Sequence, residues 1–145
     1  ARLTALQDCP RRRGRKENGM ARVSLTIAGI VEIFFRGIPA IIGTPAIAAM
    51  FNLEFLPGFI PYVHAFGAVM IVLGIMFLIA ARVPERNMLV MNIAILRFAM
   101  GIVAQLWTFI QMGELHVFWW IHMIVDAIIV LLLLAGRTKM MEKIA

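Results

Sequence analysis

Four apolar stretches, at about 23–43, 62–81, 88–110 and 117–136, constrain this chain more than anything else in it. Each is close to the roughly 20 residues that a helix needs to cross about 30 Å of hydrocarbon. Lipid offers no partner to an unpaired backbone N–H or C=O, so spans of this length are expected to be helices. Hydrophobic residues make up 62% of the chain and charged ones 15%, against roughly 45–50% and about 25% in soluble domains. A soluble fold with an unusually apolar core is the alternative, and it has no use for so much apolar surface. The expected fold is all-α, an integral membrane bundle of four transmembrane helices.

The connections fit that count. Residues 1–21 form a basic tail around PRRRGRKENG (Pro10 to Gly19), too polar to bury and expected to be disordered. The tail lacks a signal peptide's layout of a short apolar run before a small-residue cleavage site. Met20 is a candidate start, which would make residues 1–19 an upstream extension. The loop at 44–61 is apolar but broken by Pro45, Pro57, Gly58 and Pro61, which predicts a short helix lying at the membrane interface. RVPERN (Arg82 to Asn87) is a tight turn with Pro84 just past a helix end, and MGEL (Met112 to Leu115) is tighter still. The lone Cys9 excludes an intrachain disulfide.

Basic residues set the orientation. Seven Lys or Arg lie in the tail and at Arg22, two in the 82–87 turn, and three at Arg137, Lys139 and Lys143. The other two loops hold only acids, Glu54 and Glu114. Lys and Arg mark the cytoplasmic side, so both termini, with residues 138–145, are expected in the cytoplasm of a bacterium whose inner membrane the bundle spans. Tyr62, Trp107, Trp119 and Trp120 then gather near the outer interface, where amphipathic rings prefer to sit. The net charge of +6 is thus a topology signal with some affinity for anionic lipid, not a nucleic-acid footprint.

Four charges remain inside the spans: Glu32, Arg36, Arg97 and Asp126. At about 1.5 Å of rise per residue, Glu32, Arg97 and Asp126 fall near the midplane, with Arg36, Gln105 and His122 about one turn further out. Gly29, Glu32 and Arg36 share one face. Ala94, Arg97, Gly101 and Ala104 form a small-residue stripe, Trp119, His122 and Asp126 line up, and His64, Gly67, Ile71 and Gly74 follow one side of the second span. Small residues let helices approach closely in lipid. An unpaired charge at mid-membrane costs about 2.5–3.5 kcal/mol. Pairing is therefore expected, Glu32 with Arg36 inside the first span and Arg97 with Asp126 between the third and fourth. The cluster either holds the bundle in register or lines a polar pocket or proton path; alternatively the first span turns its charges towards a partner subunit.

The histidines admit several readings. His64 and His122 are candidate axial ligands of a b-type haem. His64, His116, Glu54 and Glu114 are a conceivable metal set without tight ligand spacing. In the plainer reading His64 and His116 are interfacial and His122 hydrogen-bonds Asp126. The eleven methionines show no clustered spacing and read as gap-filling or lipid-facing. There is no Gly-rich phosphate loop, CxxC, nucleophile elbow or HExxH, and Ser24 is the only serine, so no catalytic residue is assigned.

FNLEFLPGF followed by GAVMIVLGIMFLIAARVPER gives the chain, over residues 22–137, a layout that resembles the DoxX-like group of small bacterial membrane proteins. That resemblance implies four helices and an association with redox complexes near quinones, and it carries over no site residues. The small multidrug transporters are similar in having four helices and a glutamate in the first, here Glu32; Arg36 and Arg97 depart from that pattern. The resulting expectation is a non-catalytic subunit or accessory protein of a membrane redox complex, with other membrane subunits or a second copy as partners. A proton-linked transporter or channel using Glu32, Arg97 and Asp126 is the alternative. A haem or quinone redox protein is a third, with no cofactor assigned.

Overall fold

Helix α1 carries the first two charges and is the irregular member of the bundle. It runs Gly19–Ile42 in a computed structural model that describes residues 19–51, 57–114 and 116–142. Its middle, Val31–Gly37, is a π-helix. There the N–H of Ile38 bonds back to the carbonyl of Ile33, five residues earlier, and Pro39, which has no N–H, cannot restore the tighter α pattern. A short helix α2 (Thr44–Phe51) and a turn at Pro57–Phe59 lead into α3 (Ile60–Ala80). A 3-10 turn at Pro84–Arg86 leads to α4 (Met88–Met112). Gly113, in the left-handed conformation at φ 74°, ends α4 and turns the chain into α5 (Val117–Met141).

All the described regular structure is helical, and α1, α3, α4 and α5 are each long and apolar enough to cross a membrane. α2 falls in the segment where a short interfacial helix is expected. α5 continues through Arg137 and Lys139 to Met141, past the expected end at 136, because Gly136 is buried in the bundle and no breaker follows it. The basic tail as far as residue 18, Cys9, Glu54 and Lys143 lie outside the described residues.

Around the bundle, α1 packs against α3 on one side and α5 on the other, and α4 packs chiefly on α5. The core gathers at the end that holds the 82–87 turn, where Leu25, Phe77, Met91, Phe98 and Leu133 are fully buried. Towards the Gly113 end packing loosens: no residue of α4 from Gly101 on is buried, nor any of α5 before Asp126. The four charges sit where the packed half meets the open half.

Candidate functional site: an intramembrane charge network

Glu32 and Arg36 both lie in the π-helical segment, and both are buried. Arg36 reaches two acids at once. Its Nη1 donates to Glu32 Oε1 at 3.2 Å, and its Nη2 pairs with Asp126 Oδ1 on α5. Arg97, on α4, forms an ion pair through Nη2 with the same Glu32 Oε1 at 3.3 Å, and the same Nη2 donates a hydrogen bond to the Met70 sulfur at 2.9 Å. The result is one chain of ion pairs, Arg97–Glu32–Arg36–Asp126, which ties α1, α4 and α5 together and sums to zero charge. Phe98 lies beside both guanidiniums, its ring centre 5.2 Å from the Arg36 carbon and 5.6 Å from that of Arg97. A ring face attracts a cation at such distances.

The expected pair within α1 is present, and the second pair is corrected. Arg97 does not take Asp126 as its ion-pair partner; Glu32 holds Arg97, and Asp126 is held by Arg36. The cause is local. Residue counting puts the Arg36 backbone about one turn beyond Glu32, and a long arginine side chain spans such an offset, so its guanidinium reaches both Glu32 and Asp126. The α1 charges also point into the bundle, not towards a partner subunit: Glu32 is 0% exposed and Arg36 7%.

Small residues make room for the network. A Cβ on Gly101 would stand 2.6 Å from Asp126 Oδ2 and 3.3 Å from Arg97 Nη1, so the missing side chain is what lets the acid and the guanidinium occupy this face of α4. Ala94 is buried inward of Arg97, whereas Ala104, at the far end of the same stripe, is exposed. Four polar atoms of the site have no hydrogen-bond partner among the described residues: Glu32 Oε2, Asp126 Oδ2, Gln105 Oε1 and Arg97 Nε.

The histidines are dispersed. His122 stands half-buried among rings, with centroid distances of 4.5 Å to Phe118, 5.1 Å to Phe35 and 6.1 Å to Trp119. Among the described residues it has no hydrogen bond to Asp126, contrary to expectation: its ring packs among aromatic side chains, and Arg36 takes Asp126 Oδ1. His64 is exposed on α3, across the bundle from α5. His116 caps α5, its Nδ1 accepting from the Phe118 N–H at 3.2 Å. No three His, Cys, Asp or Glu side chains gather as a metal-holding group among the described residues. A shallow apolar groove of about 250 Å³, lined by Ile30, Val31, Phe34, Phe35 and Val125, runs along α1 and α5 beside the network.

Sequence reasoning missed the π-helix and the place of Phe98. Pro39, three residues past Arg36, was a usable signal for the first. Phe98 reads as one more apolar residue, and nothing in the sequence marks it as a cushion for two cations. Compared with protein families, curated proteins and solved structures, the chain finds no match.

Proposed function

We propose that this chain is a non-catalytic subunit or accessory protein of a bacterial inner-membrane complex, with both termini in the cytoplasm. The observation that carries the reading is the pairing itself: each acid is held by an arginine, and three spans are tied by one neutral network. Such an arrangement fixes register, which is the best-attested use of buried ion pairs. Arg22, Arg82, Arg86, Arg137 and Lys139 share one end of the bundle, which supports the orientation. Attachment to a redox assembly rests on the layout of the spans and loops alone. Mild extraction from native membrane followed by native electrophoresis is expected to show the chain migrating with other subunits. Migration as a lone monomer would overturn the reading.

A proton-linked transporter or channel is the second reading, favoured by one observation: Glu32 Oε2 and Asp126 Oδ2 are buried acceptors without partners among the described residues. On this reading proton flux into liposomes holding the purified chain collapses in Glu32→Gln and in Asp126→Asn. Flux equal to wild type in both variants removes it.

A further inference from the structure

The unpartnered atoms of the site define what can bind there. Glu32 Oε2 and Asp126 Oδ2 belong to side chains that are 0% and 1% exposed. A buried polar group left unsatisfied bears its whole desolvation penalty, larger still when charged, so two on one network point to a ligand. Its chemistry follows from the groups that face it. Glu32 Oε2, Asp126 Oδ2 and Gln105 Oε1 accept, and Arg97 Nε donates. The four formal charges already cancel, so a bound cation would add an uncompensated charge. An anion would meet the free carboxylate oxygens. What fits is a neutral molecule that both donates and accepts. Water is the smallest, and buried water is held by two to four polar partners of this kind.

The site also has an approach. Arg97, Gly101 and Gln105 succeed one another at four-residue steps along one face of α4, the spacing at which helical neighbours stack. Gly101, without a side chain, lets Asp126 Oδ2 and Arg97 Nη1 come up against the backbone of this face. Gln105 and Ala104 continue that face where α4 is no longer buried. Arg97 itself keeps 19% of its side chain accessible.

We propose that the Arg97–Gly101–Gln105 face of α4 lines a water-filled crevice, open towards the Gly113 end of the bundle, whose innermost water binds Glu32 Oε2, Asp126 Oδ2 and Arg97 Nε. The inference stands under either reading of function, and water at the acids is what the transport reading requires.

Cysteine accessibility tests it. In the full chain with Cys9→Ser, single variants Ala104→Cys and Gln105→Cys are compared with Val103→Cys and Leu106→Cys. The latter two lie at the same depth on the opposite face and are 54% and 44% exposed. Each is reconstituted in liposomes and treated on both sides with a charged, membrane-impermeant methanethiosulfonate. Only a thiolate reacts, and thiols in apolar surroundings stay protonated, so the crevice positions are expected to label at least ~10-fold faster than the lipid-facing pair. Labelling of 104 and 105 no faster than 103 and 106 would mean that the crevice is dry. Should one crevice variant fail to fold, the other carries the comparison.

Discussion

Replacing Arg36 by methionine is expected to cost about 3–5 kcal/mol, the range for breaking a buried ion pair by removing one partner. That is a large share of the roughly 5–15 kcal/mol that holds a typical domain folded. The loss falls on Asp126, which is 1% exposed and has no other ion-pair partner among the described residues. Glu32 keeps Arg97. This asymmetry gives the prediction a second part. The double variant Arg36→Met with Asp126→Leu removes both members of one pair and leaves the Glu32–Arg97 pair intact, so most of the lost stability is expected to return. Arg36→Met with Glu32→Leu strands both Arg97 and Asp126, and no recovery is expected. Arg36→Lys is also expected to be poor, because a point charge cannot present two nitrogens to two acids as a guanidinium does. Unfolding by SDS in mixed micelles, followed by far-UV circular dichroism, measures all four. An Arg36→Met protein within about 1 kcal/mol of wild type would show that the network is not what holds these helices, contrary to the cost expected of an unpaired buried charge.

That the four charges meet at all was legible in the sequence, because lipid leaves so few alternatives. Glu32, Arg36, Arg97 and Asp126 can each be tolerated only facing inward and paired, and their positions along the apolar stretches place three of them near the midplane with Arg36 within about one turn. The spans themselves follow from backbone hydrogen bonding in hydrocarbon, which is why Ile60–Ala80 and Met88–Met112 lie within a few residues of the apolar runs. Partner choice was not legible. It depends on how far each arginine side chain reaches and on the changed facing of α1 through the π-helix at Val31–Gly37, and residue counting at a fixed rise registers neither. His122 illustrates the same limit. Its place one turn from Asp126 suggests a hydrogen bond, yet Asp126 Oδ1 goes to an arginine arriving from another helix and Oδ2 is not reached by the imidazole. A charged donor makes the stronger bond, and the imidazole is left among aromatic rings. Gln105 was placed level with Arg36 and His122, and its role emerges only with the loosened packing beyond Gly101.

Gly29→Ala and Gly74→Ala are each expected to destabilise the α1–α3 contact by about 1–3 kcal/mol, the usual range for overpacking a close-fitted interior. The two glycines face one another across that contact. A Cβ on Gly29 would stand 2.8 Å from the carbonyl oxygen of Gly74, and one on Gly74 would stand 2.8 Å from the carbonyl oxygen of Gly29. Neither obstacle is a flexible side-chain tip, so relief requires the two backbones to move apart. Two turns along, Gly37 and Gly67 repeat the arrangement, with 2.8 Å from the Gly67 position to the Gly37 oxygen and 3.1 Å in the reverse direction. Association in lipid depends on packing of this kind, because tails are as apolar as the helices they surround. Separating α1 from α3 also shifts the segment that carries Glu32 and Arg36, so the charge network is expected to loosen with it. Two further outcomes follow from the geometry. The Gly29→Ala/Gly74→Ala pair should cost less than the sum of the singles, since helices already parted by one methyl accept the second more cheaply. Gly19→Ala should be nearly neutral, because a Cβ there meets nothing within 4 Å. SDS titration of the four proteins measures these differences. Additive losses, or a Gly19→Ala cost equal to that of Gly74→Ala, would mean that glycine at the α1–α3 crossing serves some purpose other than close approach.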